Sequence, residues 1–293
     1  MLALASVTTA CSELQARRHA REGNTAYLGG DYAAAVREYE AADQLHAGLH
    51  VVALNKGLAC RQLLVPGGKS PENERNVNCA LDSFKRMSTL RPEDKRGEQL
   101  YVQTLFDADR FDTLAAIYEE QLKGKPNDLA AINGLISVYS RADNFPKTLE
   151  WTSKRADVDR QDAEAQYAVG VLVYNRLYQK GGADKGTYNP WPDPNLDPKD
   201  KTREIKLPPP FSVGDVMGSE RVRLADLGVS YLNRALELRP AYREAMGFLS
   251  LVYRQKSYAY LDKPEDWQAC TTSAEQWHAK TTATAASPEA TPS

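Results

Sequence analysis

The sequence predicts an all-α protein built from stacked helix pairs, and three observations carry that expectation. Small and aromatic residues recur at helical spacing, as in Gly23, Tyr27, Ala35, Tyr39 and Ala42. Turn residues punctuate the helical stretches at a fixed interval: Asp109 and Asp143 stand 34 residues apart, as do Ile136 and Gly170. Proline follows the ends of helical stretches at Pro92, Pro126 and Pro240, where it cannot continue a helix.

The elements follow in order. Gly23 to Leu45 reads as two helices parted by the turn Gly30-Asp31, with Tyr27, Tyr32 and Tyr39 filling the space that the small residues leave. Ala80, Phe84, Met87, Leu90 and Pro92 repeat the second half of that pattern. Asp109-Arg110-Phe111 with Tyr118 and Pro126 gives a third unit, and Asp143-Asn144-Phe145 a fourth. Gly170 with Ala235, Leu238 and Pro240 gives a fifth. Tyr242 to Tyr258, followed by a helix from about Pro264 to His278, makes a degenerate sixth, with Trp267 and Trp277 packing a terminal helix.

This pattern resembles the tetratricopeptide repeat (TPR), a helical hairpin with small residues at its eighth, twentieth and twenty-seventh positions and aromatics between them. In the first unit only the proline near the end is missing, where Ala47 stands. The resemblance spans about residues 14 to 280. It implies a right-handed superhelical solenoid of about five to six hairpins, each burying its apolar face against its neighbours. It also implies a concave face, lined by first helices, that binds peptides.

Two insertions are expected inside the turns of units two and five, at about residues 65–76 and 181–219. The second is rich in proline, with Pro190, Pro192, Pro194 and Pro208-Pro209-Pro210, which disfavours helix. Tyr188, Trp191 and Phe211 are aromatic residues stranded in it. They either contact a partner or fold back on their own helices. Residues 281–293 are almost wholly Thr, Ala, Pro and Ser and read as a disordered tail.

At the other end, residues 1–11 read as a signal or lipobox-like segment. Met1 to Ala10 carry no charge, and Cys11 follows the small pair Thr9-Ala10. This resembles the end of a bacterial lipoprotein signal, cleaved before a cysteine that is then acylated. Thr8 departs from that pattern, and no basic region precedes the apolar stretch. The alternative is an unmodified apolar start of a cytoplasmic protein. With Ser12 after the cysteine, the resemblance implies an outer-membrane protein facing the periplasm, touching the membrane only through its lipid anchor. Cys60 and Cys79 flank the first insertion, and both a disulfide and two free thiols are open.

Several classes of function find no support. The net charge of -2 shows none of the basic surplus of a nucleic-acid binder. No apolar run is long enough to span a bilayer. His46 and His50 have ligand spacing, but Gly48 falls between them, so no metal is expected there. No nucleophile–base ordering or phosphate loop is present, so neither catalysis nor a cofactor is expected.

The expected site is a peptide groove. The repeat register places in it Asn24 and Tyr27, then Leu54 and Asn55, then Arg96, Gln99 and Gln103, then Asn133, and then Tyr167 and Tyr174. Amides can read an extended backbone, and tyrosines add contact area. Asn24, Asn55 and Arg96 match three positions of the carboxylate clamp of TPR co-chaperones, but Ala20 and Leu100 stand where that clamp needs cations. The expected function is a non-enzymatic scaffold for a protein or peptide partner. It would aid an envelope assembly of the pilus, secretion or motility type, or act as an unanchored cytosolic adaptor.

Overall fold

The computed structural model describes residues 2–178, 216–260 and 263–286. Twelve α-helices and a single 3-10 turn, Tyr258–Tyr260, make up the described fold, with no strand among the described residues. They divide into two compact units, Met1–Lys123 and Gly124–Ser293.

The first unit holds α1 (Leu2–Leu28), α2 (Tyr32–Leu45), α3 (His50–Gln62), α4 (Pro71–Leu90), α5 (Arg96–Asp107) and α6 (Phe111–Gly124). The residues expected to form the signal-like segment, from Leu2 to Cys11, are the first turns of α1. The α1–α2 pair meets where a side chain is missing: a Cβ on Gly23 would come within 2.7 Å of the Tyr39 ring. Thirty-four residues on, Gly57 does the same for α3 and α4, where a Cβ would lie 2.5 Å from the Phe84 ring. Ala16, Ala35, Tyr39, Ala42, Val52 and Ala59 form one core cluster. Ala53, Leu54, Cys60, Ala80, Phe84 and Met87 form the next.

The turns repeat as closely as the packing. Gly30, Asp109 and Asp143 all adopt the left-handed conformation, at φ 82°, 54° and 52°. In each, the following amide bonds back five residues: Asp31 to the Ala26 carbonyl, Arg110 to Leu105 and Asn144 to Tyr139. This is the Schellman closure, which satisfies carbonyls orphaned at a helix end. Asp31 and Asn144 then cap the next helix, accepting from the amides of Ala34 and Lys147.

The first insertion is shorter than the sequence suggests. Residues 71–76, expected in the loop, form the first turns of α4, and the loop itself is residues 63–70. The cause is a strong start signal: Ser70 caps the helix through the Asn73 amide, Pro71 takes the first turn, and Glu72 and Glu74 face the positive end of the dipole. Asn73, nearly fully buried, organises the loop. It accepts from the Val65 amide and donates to the carbonyls of Val65 and Gly68. The loop is tied down on the next hairpin. The Gly67 amide donates to the Asp107 carbonyl at 3.0 Å, Arg61 pairs with the Asp107 carboxylate at 2.6 Å, and Arg110 pairs with Glu74. Cys60 of α3 and Cys79 of α4 form a disulfide with a Cα–Cα distance of 6.0 Å, which decides between the two cysteine readings.

The second unit holds α7 (Leu129–Arg141), α8 (Phe145–Val158), α9 (Ala163–Tyr178), α10 (Gly218–Leu238), α11 (Arg243–Ser257) and α12 (Pro264–Ala286). Gly170 again marks the closest approach, with a Cβ there only 2.3 Å from Leu232 of α10. Most of the second insertion lies outside the described residues, as do Tyr188, Trp191 and Phe211. Gly218 and Ser219, expected at its end, begin α10. Arg221 sits fully buried at its foot and fastens three segments: it donates to the carbonyls of Val216, Leu177 and Gln255 and to the Gln255 side chain. Burial pushes its guanidinium down to about 10. Trp267 is buried and Trp277 packs on the core, as expected of a terminal helix. The tail begins later than expected. Helix α12 continues through residues 281–286, because Thr281 bonds the Trp277 carbonyl within the helix and Thr284 reaches Met246 of α11. Residues 287–293 are not among those described.

Candidate functional site

In the first unit a cleft of about 480 Å³ opens over α1, α2 and α3. Helix α1 contributes Arg17, Ala20, Arg21 and Asn24, α2 contributes Tyr39, and the start of α3 contributes Leu49 to Val52 and Asn55. The amides of Asn24 and Asn55, which the sequence placed in the groove, are joined. The Asn24 Oδ1 accepts from the Tyr39 hydroxyl at 2.8 Å and from the Asn55 Nδ2 at 2.9 Å. Burial pushes the Tyr39 hydroxyl up, so it remains a donor at neutral pH and keeps Asn24 in place. Asn24 is exposed, and its amide nitrogen makes no hydrogen bond among the described residues. Val51 stands half-exposed on the opposite wall.

The other expected groove residues are placed as follows. Tyr27 packs edge-on against Tyr32 at 5.3 Å, inside its own hairpin. Leu54 is not a groove residue. It is buried with Phe84 and Met87, because this face of α3 meets α4 and α5. Arg96 is exposed but folded onto Asp94, with its Nε 3.0 Å from both carboxylate oxygens. That bond holds the Asp94 carboxyl down at about 2. Gln99 and Gln103 are exposed on α5 in the first unit, and Asn133 is exposed on α7 in the second. Cys11 is exposed on α1.

Tyr167 and Tyr174 belong to a ring cluster of the second unit. The Tyr167 ring lies 5.0 Å from Tyr242 and 5.5 Å from Phe248, and Tyr174 lies 5.4 Å from Phe248 and 5.2 Å from Tyr178. The cluster joins α9 to α11, so both tyrosines are half-buried packing groups as well as surface. Beside it, Tyr242 donates to Glu164, which Arg239 also holds at 2.9 Å. Burial first, then this bond, pushes the Tyr242 hydroxyl up.

Sequence reasoning missed Arg17, Arg21, His50 and Val51. Arg17 and Arg21 stand four apart on α1, a spacing that shares a helix face. It missed a second group too: His19 lies 2.8 Å from Glu38 and 3.7 Å from Glu22, while Arg18 holds Glu22 at 2.9 Å. This knot ties α1 to α2.

The recurring left-handed turns and the glycines pressed against a facing side chain define the hairpin type. The helix pairs resemble those of the tetratricopeptide repeat. No family model and no curated protein matches the chain. Similar solved structures include a TPR repeats protein from Bacteroides fragilis NCTC 9343, 18% identical, covering 81% of this chain and 97% of that one at a TM-score of 0.44. YrrB, a TPR protein with an unusual peptide-binding site, is 10% identical, covering 84% and 95% at 0.35. MamA from Desulfovibrio magneticus RS-1 is 15% identical, covering 55% and 85% at 0.35. The resemblance lies in the chain's own turns and helix packing.

Proposed function

We propose that this protein is a non-enzymatic scaffold that holds a polypeptide partner in the cleft over α1, α2 and α3. The observation that carries the reading is the Asn24–Asn55 pair, locked from beneath by Tyr39 and open above. Amide donors fixed on a rigid wall suit an extended peptide, since ordering them costs little on binding. We further propose that the chain is an outer-membrane lipoprotein acylated on Cys11, facing the periplasm and stabilising an envelope assembly of the pilus, secretion or motility type. The Cys60–Cys79 disulfide supports an oxidising compartment, since such bonds persist in the periplasm and are rare in reducing cytosol. The exposed Cys11 supports an accessible attachment point.

Two measurements test this. Mass spectrometry of the native N-terminus should find an acylated Cys11 with nothing before it; an unmodified chain retaining Ala10 assigns the protein to the cytosolic-adaptor class instead. Cross-linking and capture from native membranes should recover a partner in contact with α1 or α3. Recovery only of contacts far from both helices refutes the cleft as the holding site.

A further inference from the structure

The cleft over α1, α2 and α3 has a charge character that sets it apart from the rest of the chain. The protein carries 39 acidic residues against 37 basic ones, yet none of the ten residues lining the cleft is acidic. Arg17 and Arg21 stand on one wall, one helical turn apart. Arg21 follows Ala20 directly and Arg17 stands three residues before it. The facing wall is the first turn of α3, whose cap residue Leu49 offers no side-chain acceptor. The Val52 and Ala53 amides bond the Leu49 carbonyl, and the positive end of the helix dipole lies at this wall. The Asn24 amide hydrogens, with Oδ1 already engaged, add further donors. Leu49, Val51 and Val52 supply the apolar part.

Spacing narrows the ligand. Arg17 and Arg21 are separated by ~6 Å along the helix axis. Alternate side chains of an extended strand project on one side ~6.6 Å apart. Arg21 makes no side-chain ion pair among the described residues, whereas Arg17 holds Glu13 at 2.7 Å. That Glu13 pair is exposed and one turn long, the kind that contributes little and yields to a competing carboxylate.

We propose, resting on the scaffold reading, that this cleft binds an extended acidic segment of the partner. Two carboxylate side chains at alternate positions pair with Arg17 and Arg21, and the apolar side chain after them lies on Val51. Glu13 occupies one of the two subsites until the partner displaces it.

The test is fluorescence anisotropy with the full chain and an end-blocked, labelled peptide of Glu-Ala-Glu-Leu repeats, against its Gln-Ala-Gln-Leu counterpart. The acidic peptide should bind at least tenfold tighter, and the difference should shrink as salt rises. Arg21→Gln should weaken the acidic peptide about tenfold, as expected for loss of a charge-assisted pair. Glu13→Gln should strengthen it, because Arg17 is freed. Arg18→Gln, which alters α1 outside the cleft, should leave it within about twofold. Equal binding of the two peptides, no binding of either, or no effect of Arg21→Gln overturns the proposal. So does tighter binding of anionic phospholipid vesicles that Arg21→Gln weakens equally, since the cleft would then serve a membrane surface. If a native partner is captured and Arg21→Gln holds it as firmly as the parent chain, the scaffold reading stands and the acidic assignment falls. If neither captures a partner, the scaffold reading falls while the peptide titration still decides the charge preference.

Discussion

Gly57 lies directly beneath the ring of Phe84, closer than any side chain there would allow. A valine at residue 57 must push the ring or the whole of α4 away, and packed cores relax only partly. Gly57→Val is therefore expected to lower stability by about 2–3 kcal/mol in urea unfolding. Gly124→Ala, where an added Cβ meets nothing within 4 Å, should change it by less than about 0.5 kcal/mol. Equal effects of the two would refute the packing argument.

The Cys60–Cys79 bond closes a chain segment of 19 residues across the first insertion. Closing a loop of that size restricts the unfolded chain and adds on the order of 3 kcal/mol. Reduction, or Cys60→Ala with Cys79→Ala, should remove stability of that order and speed protease cleavage within residues 63–70. A reduced protein that melts where the oxidised one does would contradict this.

Asn24 serves the fold and the cleft through the same oxygen. Asn24→Ala strands the Tyr39 hydroxyl and one Asn55 hydrogen, and should cost about 1–2 kcal/mol. Asn24→Asp keeps both accepted bonds and should retain most of the stability. It should nevertheless bind the acidic peptide less well, since it puts a negative charge where a donor stood. Thermal melts and peptide titrations of the pair separate the two roles.

Asp94 titrates far below an ordinary aspartate, because Arg96 bonds its charged form. The sign follows from which state holds the proton. With the folded pKa depressed, any stability from the pair is present above the unfolded value near 4 and is lost as the pH falls toward about 2. Arg96 is exposed and Asp94 part-exposed, so salt screens the effect. Carboxyl-carbon NMR should find the Asp94 midpoint near 2, returning toward 4 in Arg96→Gln.

Much of the fold was legible because its determinants are local. Gly30, Asp109 and Asp143 are turn residues whose left-handed backbone favours Gly or a short Asp, so the period shows at the level of single letters. Gly57 follows Gly23 at the same interval, but the sequence reading of the second unit took in its second half, Ala80 to Pro92, and passed over that glycine. The groove was less legible. Which side of α3 faces a neighbour depends on the third hairpin as well as the second, and Leu54 was lost to that packing. Asn73 reads as a surface residue in sequence and becomes a buried hub only once Val65 and Gly68 close over it. Arg17 and Arg21 look like any solvated helix face until the first turn of α3 is set opposite them.

The bonds from Gly67 and Arg61 to Asp107, with the Arg110–Glu74 pair, tie two hairpins together beyond the contact of their helices. In a linear array, fraying normally starts at one repeat and stops at the next weak junction. A strut across the second and third repeats removes that junction, so opening either one must break the other's anchorage. Amide exchange of α3, α4 and α5 would then proceed as one cooperative event, with these helices as the keystone of the first unit.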